Sequence, residues 1–315
     1  MKMNKMGIVV FLVALSLLMG PASATTYINQ GDSNSVIQGK LNAAPVGDEV
    51  IFESGPLDYT GISLTINKAL NLVGNGVTLI GSGSSIFTIT GTSGVTINGF
   101  NININNTSAD GITGSSVTNA IIENNNITNG DDAINIFSMY KNLTIQNNRI
   151  TGMNAGRDGI SLVNHDKNLE TTTTTKIRDN FIDGTDYGIF LGGNFNGTIS
   201  GNTITNCPYG MNITGKHNAS LGSLNADIVD NIISGIAMEA PNVNYLNLDG
   251  NNISELSSTG YSILNTTYNG IAYYNKTGTI SVTNNNFTAP VFDAFRTGAD
   301  TWDNNLLNGV DYPQW

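Results

Sequence analysis

From Leu70 to Phe287 the chain repeats one short pattern of apolar and polar positions. An apolar residue is followed by two polar or glycine residues, usually an Asn, then any residue, then a second apolar residue. The pattern runs Leu72…Asn75…Val77 and Ile97…Phe100…Ile102, then recurs around Asn125, Asn148, Asn180, Asn202, Asn231, Asn251 and Asn285. Each apolar residue centres a strand of only a few residues, and the anchors recur every 20 to 34 residues. Short strands separated by Asn or Gly corners, in coils of this length, predict a parallel β-helix. Leucine-rich repeats have similar periods but need helix-side leucines that are missing here. Ankyrin and tetratricopeptide arrays need helices, which this Asn-, Gly- and β-branched-rich sequence disfavours. Asn tolerates the left-handed corner between strands, and its amide can bond to the Asn one coil away, so these seven Asn read as structural, with Asn75 as an eighth.

Ahead of the repeat, Ser33–Ala44 places Val36, Ile37 and Leu41 on one side of a short helix, followed by a strand over Glu49–Phe52 and another over Ile62–Ile66. Such a helix is suited to cover the open end of a solenoid. Three coils are long: Val163–Thr175, Thr214–Ala226 and Asn265–Thr279. Each excess follows the same strand of its coil, so the insertions should rise from one edge and wall a groove. After Phe287 the repeat ends. Residues 289–315 read as a C-terminal cap in which Trp302, Tyr312 and Trp315 cover the last coil, the alternative being that they stack on sugars. The expected organisation is 1–24 signal peptide, 25–69 N-terminal cap and first strands, 70–288 repeat coils, and 289–315 C-terminal cap.

The signal peptide rests on Lys2 and Lys5, the apolar run Met6–Met19 and the small-residue site Ala22-Ser23-Ala24. It predicts a secreted or cell-surface protein with no membrane insertion after cleavage. Without the two lysines the acids outnumber the bases by 13. Such a chain is a poor partner for nucleic acid or anionic membrane. Cys207 is the single cysteine, so no internal disulfide forms and stability must come from burial and backbone pairing. Eleven Asn-X-Ser/Thr triplets, Asn212 among them, are potential glycan sites, though so Asn- and Thr-rich a chain produces about that many by chance.

The candidate chemistry emerges on aligning Gly111-Ile-Thr, Ala133-Ile-Asn, Gly159-Ile-Ser, Gly188-Ile-Phe, Gly210-Met-Asn and Gly270-Ile-Ala. With the Ile and Met positions inward, the flanking positions point outward. The outer face then carries a glycine-paved row beside Thr113, Asn135, Ser161, Phe190 and Asn212. The residues before the glycine row form a column: Asp110, Asp132, Asp158, Tyr187, Tyr209 and, after an interruption, Asn269. Neighbours in such a column are about 4.8 Å apart. Carboxylates stacked so closely resist ionisation unless a cation intervenes, which suits a general acid beside a general base, or a Ca²⁺ site. Asp110, Asp131, Asp132 and Asp158 are the candidate catalytic residues. Tyr187, Tyr209, Phe190, Asn135 and Arg157 are the candidate substrate-binding residues. Asp-Gly is also a common turn dipeptide, and that reading stays open. No cofactor is expected, with Ca²⁺ as the alternative.

Ser108-Ala-Asp-Gly-Ile, Gly130-Asp-Asp-Ala-Ile and Asp158-Gly-Ile-Ser-Leu resemble the successive active-site coils of polygalacturonase-type glycoside hydrolases. The resemblance implies a right-handed, pectin-lyase-like solenoid, with Asp110 in the place of that family's first aspartate and Asp131-Asp132 in the place of its pair. One of these would be the general acid and the others would position water. Asp158 stands where that family has histidine, and Gly188-Ile-Phe-Leu-Gly192 has no base where it has Arg-Ile-Lys. Over residues 25–315 the chain looks more like exported β-helix repeat proteins described as adhesin-like or NosD-like, through Ile37-Gln…Gly47-Asp-Glu-Val-Ile…Leu70 and Trp302-Asp-Asn…Asp311-Tyr.

Together these readings give an all-β fold: a single-stranded right-handed parallel β-helix with a short N-terminal capping helix and a C-terminal cap. The expected function is a non-enzymatic adhesin-like or envelope protein contacting carbohydrate or other surface proteins. The alternative is a polysaccharide-degrading hydrolase or Ca²⁺-dependent lyase using the aspartate column.

Overall fold

The computed structural model describes residues 25–315 apart from 107, 154–156, 166–173, 215, 218–219, 222, 240–241, 255–262, 266, 269–270, 273–274, 292–298 and 315. The segment read as a signal peptide lies outside the described residues. The chain winds into a right-handed parallel β-solenoid of about 10 turns. Its short strands fall into three long sheets. Sheet A runs from Thr25–Ile28 to Thr301–Asp303, sheet B from Tyr59–Ile62 to Val310–Asp311, and sheet C from Leu64–Ile66 to Ile263–Asn265. Each coil visits A, B and C in that order, so every sheet pairs residues one coil apart in sequence.

Alternation explains the core. Ile97, Ile122, Ile145, Ile177, Ile199 and Ile228 stack inward from sheet A, and Ile102, Ile127, Ile150, Ile182, Ile204 and Ile233 from sheet B. All are 0–1% exposed. A fully buried aliphatic side chain contributes about 1.5–3 kcal/mol, and the stacks repeat that contribution in every coil.

Between sheets A and B the expected asparagine ladder is present. Asn125 Nδ2 donates to Asn148 Oδ1 at 3.1 Å, and the chain of bonds continues through Asn180, Asn202, Asn231, Asn251 and Asn285. All seven are buried. The eighth rung is not Asn75 but Asn305, which accepts from Asn285 at 3.0 Å. Asn75 sits at φ 49° in a corner two residues longer than the next, so it serves the turn and not the ladder. The left-handed conformation likewise belongs to the residue before each rung, such as Asn124, Asn147 and Asp179.

Both ends are covered. Helix α1 (Asn34–Ala43) buries Ile37 and Leu41, while Val36 faces solvent. Its Gln38 donates to Thr65 O (3.0 Å) and accepts from Thr65 N (2.8 Å), and Asn34 Oδ1 accepts from Ser63 N. Side chains of α1 thus satisfy the edge of sheet C's first strand, which would otherwise be a template for another chain. At the far end Trp302 stacks on Phe287 with centroids 5.9 Å apart, and its Nε1 donates to Tyr312 O. Both Trp302 and Tyr312 pack against the core, as a cap requires. Trp315 lies outside the described residues.

The long coils share one place. Lys216–His217 pairs antiparallel with Ser220–Leu221, and Thr267–Tyr268 with Ile271–Ala272. Both hairpins leave a sheet C strand and return to a sheet A strand. The first long coil makes the same crossing from Ile160–Asn164 to Thr175–Arg178, with 166–173 outside the described residues.

Candidate functional site

Sheet C holds the candidate site. Ile112, Ile134, Ile160, Ile189, Met211 and Ile236 pair in unbroken register and point inward. Two positions earlier, at the strand entrances, this register lines up Asp110, Asp132, Asp158, Tyr187 and Tyr209, and Tyr187 pairs with Tyr209 directly. One position after the inward residue lie Thr113, Asn135, Ser161, Phe190 and Asn212. Column and outer row therefore form as the alignment predicts, side by side.

Two expectations need correction. The glycines do not pave the outer face. Gly111, Gly159, Gly188 and Gly210 are buried at the corner entering sheet C. A Cβ on Gly188 would lie 2.2 Å from Ile204 Cγ2 and 2.5 Å from Gly210 O. The chain bends between the acid and the strand, so two-residue alternation does not extend through the corner. The sixth coil is not Gly270-Ile-Ala. Sheet C continues through Ile236–Glu239, which puts Ser234 beyond Tyr209, while Ile271–Ala272 belongs to a hairpin. Asn269 lies outside the described residues.

The carboxylates interlock with the backbone of the following coil. Asp132 N donates to Asp110 Oδ1 (3.2 Å), and Asp158 N donates to Asp132 Oδ1 (3.0 Å). Asn135 Nδ2 donates to Asp110 Oδ2 (3.2 Å), and Ser161 is hydrogen-bonded to the Asp158 carboxylate. One oxygen of Asp110 and one of Asp132 thus hold the solenoid corner, which is the turn role expected of Asp-Gly. One residue earlier in each coil, Arg157 Nε lies 2.7 Å from Asp131 Oδ1. That distance makes an ion pair, but the two are not aligned for a hydrogen bond.

Crowding and burial disfavour the charged forms. Burial, then the neighbouring carboxylates Asp110 and Asp131, push the Asp132 pKa up to about 6. Burial, then Asp132, Asp186 and Asp131, push Asp158 up to about 7. Asp110 is raised for the same first reason, with hydrogen bonds from Asp132 and Asn135 working against it. The column thus holds acids whose charged forms are disfavoured by burial and by one another. Among the described residues no three His, Cys, Asp or Glu side chains converge to hold a metal ion.

Beyond Asp158 the column becomes aromatic. Tyr187 and Tyr209 lie 5.1 Å apart with their rings tilted by 32°, and Phe190 packs on Tyr187 at 5.8 Å. Asn212 hydrogen-bonds the Tyr187 hydroxyl, whose pKa burial raises. All nine candidate residues therefore lie on or beside the entrance edge of sheet C, and the insertions leave its opposite edge. Sequence reasoning does not single out two residues. Asp186 sits beside Arg157, to whose carbonyl its N–H donates. Phe137, 45% exposed, is on sheet C's outer face. The alternation in Ile134-Asn-Ile-Phe137 carried the signal for Phe137.

Residues 59–233 match the family described as a right handed beta helix region. In sequence, no curated protein matches the chain. Among solved structures it is similar to the A-module of the Azotobacter vinelandii mannuronan C-5 epimerase AlgE4. The identity is 12% and the TM-score 0.62, over 91% of this chain and 93% of that one. It is also similar to the catalytic domain of a GH87 alpha-1,3-glucanase solved with tetrasaccharides, at 14% identity and a TM-score of 0.47, over 92% of this chain and 66% of that one. Matched over more than half its length, and folded as three parallel sheets around an aliphatic core, the chain belongs to the right-handed β-helix family.

Proposed function

We propose that this is an exported, adhesin-like surface protein whose sheet C entrance edge holds a carbohydrate chain. The observation that carries the reading is the Tyr187–Tyr209 pair, half-buried in register with the aspartate column. The tilted, overlapping Tyr187–Tyr209 pair with Phe190 beside it offers apolar surface and two phenol hydroxyls, while the adjoining carboxylates and Asn135 offer acceptors and donors for sugar hydroxyls. The shared fold with a mannuronan C-5 epimerase module is consistent with a polysaccharide partner. The test is retention of the protein on immobilised glycans and on cell envelopes. Retention lost in Tyr187→Ala/Tyr209→Ala supports the reading, and retention indifferent to both tyrosines refutes it.

A second reading, polysaccharide cleavage, is favoured by one observation: Asp132 and Asp158 are neighbours in the column and both have raised pKa values. A protonated acid beside an ionised one is the pairing that glycoside cleavage uses. New reducing ends released from a polysaccharide panel, and lost in Asp131→Asn/Asp132→Asn, would establish it. No release from any sugar leaves the binding reading.

A further inference from the structure

The charge around the aromatic platform is one-sided. In four consecutive coils the entrance of sheet C carries Asp110, Asp131, Asp132, Asp158 and Asp186, and these carboxylates sense one another. Against them stands Arg157, whose Nε is already within 2.7 Å of Asp131 Oδ1. Among the described residues, no other base lies in these two entrance columns. The protein answers these carboxylates with the N–H groups of Asp132 and Asp158 and with Asn135 and Ser161. Core isoleucines and buried glycines close the inner face of each corner, so any further cation must approach from the solvent side.

We infer that the chain held on the Tyr187–Tyr209 platform is a polysaccharide rich in free amino sugars, whose ammonium groups lie over the aspartate column. This rests on the carbohydrate-contact reading above and specifies its ligand. Tyr187 directly follows Asp158 in the column, so a ring seated on the aromatic pair places its neighbours over the Asp158 and Asp132 coils. Coils are about 4.8 Å apart, comparable to the advance per residue of an extended polysaccharide. A uronate polymer would bring further carboxylates against this column, which like-charge repulsion opposes. A neutral polymer contacts the tyrosines but gains no charge pairing with the ionised fraction of the column. An ammonium group gains charge-assisted hydrogen bonds there. The net charge of −11 adds long-range attraction of the same sign.

The experiment is calorimetric titration of the full chain with three hexasaccharides at about pH 6, where the Asp132 carboxylate is partly ionised and glucosamine is largely protonated. The probes are the hexamer of glucosamine, its fully N-acetylated counterpart, and the hexamer of galacturonic acid. The expected result is glucosamine binding about tenfold or more tighter than the N-acetylated form, in line with the worth of a charge-assisted hydrogen bond. Galacturonate should be the weakest. The preference should shrink in Asp132→Asn/Asp158→Asn, which keeps the oxygen that accepts from the next coil, and shrink with added salt. Equal affinity for the glucosamine and N-acetylated hexamers, or tighter binding of galacturonate, overturns the inference and leaves the carbohydrate-contact reading standing. No binding of any hexamer, or binding unchanged by Tyr187→Ala/Tyr209→Ala, overturns both.

Discussion

Replacing Asp158 by Asn should stabilise the protein once the pH is well above the ordinary carboxylate value of 3.8, and most at neutral to alkaline pH. The folded state holds the Asp158 proton up to about pH 7, against an ordinary value of 3.8. An acid whose folded pKa lies above its unfolded one stabilises the fold most below pH 3.8, and that contribution drains away as pH rises to about 7. The gap corresponds to about 4 kcal/mol, at 1.36 kcal/mol per tenfold change in proton affinity. Asn carries no charge, so it escapes this loss. It gives up part of the hydrogen bonding with Ser161, which costs about 1 kcal/mol. Asp158→Asn should therefore be about 3 kcal/mol more stable than the parent at pH 8 and about 1 kcal/mol less stable at pH 3. Denaturant midpoints at the two pH values, with unchanged slopes, measure this directly. Parallel stability profiles for the two proteins, or a variant weaker at pH 8, would refute the claim that crowded carboxylates strain this corner.

Two further predictions concern the scaffold. Asn202 Nδ2 donates to Ile177 O, Ser200 O and Asn231 Oδ1, and its Oδ1 accepts from Asn180 N and Nδ2. Asn202→Ala strands several of these buried groups and should cost about 3 kcal/mol or more, read from the denaturant midpoint. Gln38→Ala removes the side chain that occupies both backbone groups of Thr65. It should lower stability by only about 1 kcal/mol yet increase self-association through the bared strand edge, seen by light scattering; a variant as monodisperse as the parent would contradict that role for α1.

Much of the fold is legible because the solenoid repeats its physics locally. Most strands need only one inward aliphatic residue between two outward polar ones, and each A–B corner from Asn125 onward holds one buried Asn, so the sequence shows both from that coil to Asn285. The aspartate column is legible for the same reason, since Asp110-Gly, Asp132-Ala and Asp158-Gly stand at one fixed distance from an inward Ile. What fails is extrapolation past a bend. Counting by twos from Ile189 puts Gly188 outside, whereas the corner turns it against Ile204. Asn75 misleads because its corner holds two more residues than its neighbour. Asn305 hides because the repeat reads as ending at Phe287, whereas sheets A and B continue through Thr301–Asp303 and Leu306–Leu307. The pairing of Gln38 with Thr65, 27 residues apart, leaves no periodic trace at all.

The most direct test of a carbohydrate-contact face is to watch the tyrosines. The chain has 11 of them, and Tyr187 and Tyr209 are the two that meet in the aspartate column. NMR spectra of tyrosine-labelled protein, assigned by single Tyr→Phe variants, should show these two resonances shifting together on titration with a bound oligosaccharide, while Tyr59 in the core and Tyr245 on sheet A stay in place. Shifts centred on Tyr245, or none at Tyr187 and Tyr209 with a sugar demonstrably bound, would contradict the account.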